Sequence, residues 1–490
     1  MTTVVLHKTT TRVRPYYKSL FDSPLVLMLS FGLGATALFI VGILEESLVA
    51  TWFIASLLLG LGTLVLFTEG RLGHLELARK FWVTFGLRIF VTFITHLWLA
   101  KVYSEPFWQW GAGGGDELNF YTYSQHLAVA WRGGYIFTEE SYLWGSDYSA
   151  WIYLIGFIRF LGMTLGGDTI FNIKLLSCFF SALLVSYVYK LGQHFFNRST
   201  AQVSAAIAFW LPDFWYYGAT LLRDVMVSFM VVFVMYQVVV GIRVRFNPWR
   251  LSVAVVLNFV VIHHLKVWLA EALTIIVFLW WVWEKVEHKA GRLLLLITLT
   301  ILITLLIVPL LRHKVAEVVL YSGESIGLVQ RLAVQNLTGI EEASADSIGG
   351  RIAAMPVFIR VPVNMVQLLL SIPPWASINK YGVIPRAIVE SVAAFVWLGF
   401  VIFLPAGFLD CIRRDRPRRT AWIWGTALIL IFNLALASTI IPRWRMMVMP
   451  FLLILVARGM SIPAYRWVVK WSAASIVGLL IVYLAFKYVL

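Results

Sequence analysis

Two adjacent carboxylates follow directly on a glycine run in Gly111-Ala112-Gly113-Gly114-Gly115-Asp116-Glu117. Glycine lacks a Cβ, so the backbone can turn sharply there and come close to a ligand. A carboxylate with a pKa of about 4 is ionised at neutral pH and can accept a proton from an attacking hydroxyl. The continuation, Asn119-Phe120-Tyr121-Thr122-Tyr123-Ser124-Gln125-His126, is aromatic and polar rather than a solvated loop. Asp116 and Glu117 are therefore the candidate catalytic carboxylates, and Tyr121 is a candidate substrate contact beside them. The competing reading is a pair of solvated loop acids.

Cations gather at comparable places. Arg223-Asp224 opens an apolar run after Pro212-Asp213-Phe214-Trp215-Tyr216-Tyr217. A guanidinium binds phosphate bidentately, so Arg223 is a candidate anion holder, against the alternative of an interfacial arginine reaching for water. His263-His264-Leu265-Lys266 lies between two apolar runs, with Glu271 in the second. His264 and Lys266 would neutralise a phosphate. Adjacent histidines lack the i, i+4 spacing that puts two ligands on one helix face, so no metal is indicated. Arg443-Trp444-Arg445 follows Pro442 at another turn and adds two more cations. Arg88 and His96, inside a span, read as snorkelling or packing residues. Carboxylates and cations around apolar helix ends suit a substrate with a phosphate, an apolar tail and an attacking hydroxyl. A phosphate-cradling Gly-rich loop with Lys and Ser/Thr, as nucleotide-dependent chemistry would need, is not present.

What positions these residues is a membrane scaffold. Of the 490 residues, 60% are hydrophobic and 13% charged, and the mean hydropathy is +0.82. A soluble chain would carry about 25% charged residues. Apolar runs of about 18–23 residues match the bilayer core, and they do not alternate as β-barrel strands do. The expected fold is all-α: a polytopic bundle of about thirteen spans. They lie near 25–46, 49–68, 81–101, 172–193, 199–213, 222–241, 250–263, 267–284, 293–311, 386–408, 421–440, 446–460 and 470–489.

The formal charge of +15 sits mainly in short loops such as Arg413-Arg414-Asp415-Arg416-Pro417-Arg418-Arg419, where it sets topology rather than meeting nucleic acid. Cys178 and Cys411 form no disulfide framework. Residues 1–24 read as a retained cytoplasmic tail and 25–311 as a transmembrane catalytic module with a first outer loop at 102–171. A second outer loop follows at 312–385, and 386–490 are C-terminal transmembrane helices. Within the loops, Ala150–Met163 and Arg351–Ile372 read as interfacial helices. Trp151, Tyr153 and Arg159 of the first are expected at headgroup level. The polar Leu337–Gly350 reads as a mobile piece.

The order of these features resembles the GT-C superfamily of membrane glycosyltransferases, which includes protein O-mannosyltransferases and lipid A aminoarabinose transferases. The likeness rests on Asp116-Glu117-x-x-Phe120-Tyr121, Asp147-Tyr148, Leu211-Pro212 and Leu221-Leu222-Arg223-Asp224, over about residues 80–285, and on the Pro442-Arg443-Trp444-Arg445 turn. The resemblance implies transfer of a sugar from a polyprenyl-phosphate donor to a glycan, lipid or protein hydroxyl, with inversion, on the outer face of a bacterial inner membrane. It assigns the base to Asp116, with Glu117 competing. It maps phosphate-binding cations onto Arg223, Lys266 and Arg443; the residues themselves add Asp224, His264, Arg445 and Tyr121 as candidate lipid-phosphate or sugar contacts. No cofactor is implied. Two departures are plain: two extra spans precede the carboxylate loop, and no soluble C-terminal domain is seen. The alternatives are an O-antigen-type polymerase or ligase using a lipid-diphosphate glycan, and a non-enzymatic lipid or sugar flippase.

Overall fold

A computed structural model describes residues 20–68, 74–103, 116–135, 149–243, 248–285, 357–370, 374, 385–413, 417–436 and 442–488. Every regular element among them is helical. In chain order these are α1 (Pro24–Leu44), α2 (Leu48–Thr68), α3 (His74–Tyr103), α4 (Asp116–Arg132), α5 (Ser149–Thr164) and α6 (Ile170–Phe195). Next come α7 (Arg198–Trp210), α8 (Pro212–Gly218), α9 (Asp224–Arg243), α10 (Pro248–Val256, continued by a π-helical Leu257–Ile262) and α11 (Val267–Lys285). The chain ends with α12 (Val357–Leu370), α13 (Pro385–Val401), α14 (Leu404–Arg413), α15 (Pro417–Leu436), α16 (Met449–Met460) and α17 (Arg466–Tyr488). A 3-10 turn, Pro442–Met447, precedes α16.

This is a membrane-embedded helical protein. Among the described residues, 6 helices are long and apolar enough to cross a bilayer: α1, α2, α3, α6, α9 and the stretch Ala387–Arg413. A seventh crossing arises if α16 and the helix after it count as one span, although they meet at 91°. Expected spans near 250–263, 267–284 and 421–440 correspond to shorter apolar helices. The expected span 199–213 is interrupted at Leu211, where Pro212 starts α8. The expected span 293–311 and Leu337–Gly350 lie outside the described residues.

α6 and α9 form the centre, buried along most of their length, whereas α1 and α2 expose Met28, Leu29, Phe39 and Leu64. Contacts between aligned residues fix direction. Gly34 touches Gly86, and Glu45 pairs with His96, so α1 and α3 run parallel. Thr92 meets Cys178 and Glu76 meets Tyr189, so α6 runs against α3. Phe180 faces Phe229 and Tyr187 faces Tyr236, so α9 follows α6. The C-terminal ends of α1 and α3 and the N-terminal ends of α6 and α9 thus share one end of the bundle. Glu76, Lys80, Tyr189 and Arg198 close the other, with Glu76 accepting from all three partners.

α4 and α5 lie across the first end. α5 begins against the His264 carbonyl, which accepts from Ala150 N at 3.2 Å, and the chain just past it meets Ser47 through Gly167. The expectation that Trp151 and Arg159 of α5 meet lipid headgroups is corrected here. Trp151 is buried, and its Nε1 donates to the Leu221 carbonyl at 3.0 Å. Arg159 is also buried. Its Nε and Nη2 donate to Asp168, its Nη1 to the Tyr121 carbonyl at 2.8 Å, and its Cζ lies 4.0 Å from the Tyr121 ring centre. Burying a charge without a counterion is costly, and for Arg159 the counterion is Asp168, nine positions along. Arg88 likewise does not snorkel: it is buried, donating to the Phe209 carbonyl at 3.1 Å beside Trp215. In the second segment expected to be interfacial, α12 donates from Asn364 Nδ2 to Ala435 O at 3.0 Å.

The direction of the helices predicts sidedness. Tyr135 is exposed beyond α4, and Ser199 is exposed at the opposite end, while both native cysteines are buried. In intact cells an impermeant maleimide should label only one of Tyr135→Cys and Ser199→Cys, the other reacting after permeabilisation. Labelling of both from one side would break the two-ended arrangement.

Candidate functional site

The site is built from turns, not from helix middles. α4 starts on Asp116, so both acids sit in its first turn, where a helix favours negative charge. Consecutive residues on a helix diverge, and the pair separates accordingly. Glu117 turns inward and is buried, and its Oε1 accepts the backbone N–H of Leu221. Asp116 remains half-buried. The buried ammonium of Lys174, on α6, is compensated electrostatically by Glu117 first and then Glu45. Glu45 in turn holds His96 Nε2 at 2.9 Å.

The segment 219–223, between α8 and α9, receives contacts from three directions. Leu221 N is taken by Glu117 and Leu221 O by Trp151. Arg223 is nearly buried, and its Nη1 donates to the Leu265 carbonyl. Asp224 opens α9 and lies 4.0 Å from the Lys266 ammonium. The turn carrying His264, Leu265 and Lys266 is itself held: Lys266 N donates to Ile262 O at 2.8 Å, and Asn258 ties the π-helical segment to Thr274. His263 and His264 pack edge to face at 5.3 Å. Burial, with a smaller push from His263, keeps the His264 imidazole below its usual pKa and therefore neutral at pH 7.

Arg445 joins from the distant 442–447 turn, which packs on α9 and α8. Its Nη2 donates to Asp213 Oδ2 at 2.7 Å, and its Cζ lies 5.6 Å from the Trp397 ring centre. Its Nε and Nη1 are buried with no hydrogen-bond partner among the described residues. Glu390, on α13, accepts from Tyr217 Oη at 3.2 Å. Burial pushes the Asp213 carboxyl above the usual carboxylate range; Arg445 pulls it back, and Glu390 adds a smaller upward push.

Of the residues expected from sequence, Glu117, Arg223, Asp224, His264 and Lys266 meet around the 219–223 and 263–266 turns, and Asp116 and Tyr121 sit on α4 with Glu117. Arg445 forms a neighbouring cluster, joined to the first through α8 and 219–223. Arg443 lies on the same turn, with its side chain outside the described set. The glycine run 111–115 and Asp147-Tyr148 also lie outside the described residues. Lys174, Glu45, Asp213 and Glu390 were not expected. The one available signal was a charge, in each case, next to or inside an otherwise apolar run. No protein-family model, curated protein or solved structure matches this chain.

Arg445→Met strands Asp213 in a buried place without its cation, which typically costs about 3–5 kcal/mol. Thermal unfolding in detergent should show that loss, and adding Asp213→Asn should recover much of it. The sign with pH follows from the raised carboxyl. Its stabilising contribution is full below the unfolded-state pKa and falls as pH rises through the folded-state value. Asp213→Asn should remove that dependence, and an unchanged profile would mean that Asp213 does not titrate as described.

Proposed function

We propose that this protein is an integral-membrane glycosyltransferase. It moves a sugar from a polyprenyl-phosphate carrier to an acceptor hydroxyl, at the outer face of a bacterial inner membrane. The observation that carries the reading is the division of the acidic pair. Glu117 is committed to the Leu221 N–H, whereas Asp116 stands half-exposed one position before it, with Arg223, Lys266 and His264 mounted on the turns that Glu117 and Trp151 brace.

In the proposed reaction the acceptor O–H gives its proton to Asp116, and the oxygen forms a bond to the anomeric carbon. The bond from that carbon to the phosphate oxygen breaks, and its electron pair leaves with the polyprenyl phosphate. Arg223 and Lys266 face the charge that develops there. Aligning the two substrates and stabilising that charge supply most of the acceleration expected for such a leaving group. The His263-His264 pair supports a second reading, transfer from a lipid-diphosphate glycan by a polymerase or ligase, in which the turn 263–266 carries the reaction.

Asp116→Asn keeps size and polarity but cannot take the proton at neutral pH. Transfer from lipid-linked sugars extracted from the same cells should fall by about 10²–10⁴-fold. Glu117→Gln should cost less catalytically, because the Leu221 N–H keeps an acceptor, and should show mainly as lost stability, because the buried Lys174 loses the charge of Glu117. Retention of near-normal transfer by Asp116→Asn and by the double variant would sink the mechanism. Loss of transfer on changing His263 and His264, with Asp116→Asn still active, would favour the second reading.

A further inference from the structure

Arg445 is a buried guanidinium with one carboxylate partner and two donors left over. Its Nη2 is held by Asp213, while Nε and Nη1 have no partner among the described residues, and the residue is 4% exposed. Unmet donors on a buried cation are costly, so such a group is poised for a second acceptor. Planar guanidinium donors match the oxygens of a phosphate ester. The side chain is not mobile in the manner of a surface arginine, since Trp397 lies against it and the 442–447 turn is packed on α9 and α8.

The carboxylate side is equally specific. Asp213 is buried on the first turn of α8, and Glu390 is close enough to act on it electrostatically. The ionisable groups around Asp213 are thus Arg445 from the 442–447 turn, Glu390 from α13 and Tyr217 from α8 itself, which donates to Glu390. Asp213 therefore has one guanidinium partner and a second acid near it. If an anion takes that guanidinium, Asp213 is left buried, without its counterion and beside a second acid. An isolated buried carboxylate neutralises rather than remain charged.

We propose that Arg445 binds the phosphate-ester monoanion of the lipid-linked donor in exchange for Asp213, and that Asp213 takes up a proton when it is released. The proposal rests on the glycosyltransferase reading and adds a regulatory consequence: donor capture is proton-linked and is favoured by acid. In the exchange the Arg445–Asp213 hydrogen bond breaks, phosphate oxygens accept from the guanidinium, and one proton from solvent binds an Asp213 oxygen. Departure of the phosphate reverses each step.

The test uses the full-length protein in detergent and the methyl phosphodiester of a polyprenol, which stays a monoanion between about pH 5 and pH 9, so that only the protein titrates. Calorimetry in buffers of differing ionisation enthalpy counts protons. The wild type should take up about one proton per phosphodiester near pH 7, with affinity weakening by up to tenfold per pH unit. Asp213→Asn should bind without proton uptake and with a flat pH dependence. Binding of the wild type without proton uptake overturns the exchange while leaving the donor reading intact. Uptake that persists in Asp213→Asn also overturns it, because the proton then goes elsewhere. No binding of the polyprenyl diester by the wild type would sink both. Dimethyl phosphate is the soluble control: equal affinity for it, with proton uptake, would keep the exchange and discard the lipid carrier.

Discussion

A carboxylate withdrawn from water has to be met by donors, and Glu117 is met by the Leu221 N–H and by the charge of Lys174. That single link spans 104 positions and closes α4 onto the segment between α8 and α9. The rest of the site depends on it. With Leu221 fixed from both its N–H and its carbonyl, Arg223 and Asp224 are placed against the 263–266 turn, and Asp116 is left at the rim. Glu117, the competing acid of the pair, is therefore a structural brace, and the proposed reaction gives the proton transfer to Asp116.

The same constraint organises the other charged groups. Arg159 meets Asp168, Arg445 meets Asp213, Arg458 meets Asp410, and Glu76 gathers Lys80 and Arg198. Removing one partner of such a pair is expensive even where the pair itself adds little net stability. The scaffold around them is economical in a different way. α14 and α16 approach so closely that a Cβ on Gly407 would lie 1.9 Å from the Leu455 carbonyl oxygen. Close packing through small residues is how helices associate where lipid offers no hydrophobic drive.

Much of this was legible in the sequence. Hydropathy located the six long apolar helices, and the unusual Gly-Asp-Glu junction singled out Asp116 and Glu117, although the helix α4 that they open lies in the expected first outer loop. The turns bearing Arg223, Lys266 and Arg445 stood out because cations are rare beside apolar runs. Pairing was not legible. Asp213 and Arg445 are 232 positions apart, and nothing in either neighbourhood names the other. The burial of Arg159 on α5 was missed for a related reason: a hydropathy window registers it as a charge seeking water and cannot see Asp168 and Tyr121 folding over it. Lys174 was hidden by the apolar run around it, and its compensating acids lie on other elements.

The central claim is that one end of the bundle receives a lipid-borne phosphate between the turns at 219–223, 263–266 and 442–447. Photo-crosslinking tests it directly, using a polyprenyl phosphate that carries a photoreactive group next to the phosphate, followed by peptide mapping. The account predicts that adducts concentrate in those three turns and at the start of α4, and that unlabelled polyprenyl phosphate competes them away. Adducts confined to the exposed faces of α1 and α2, or to the opposite end around Glu76 and Arg198, would contradict it.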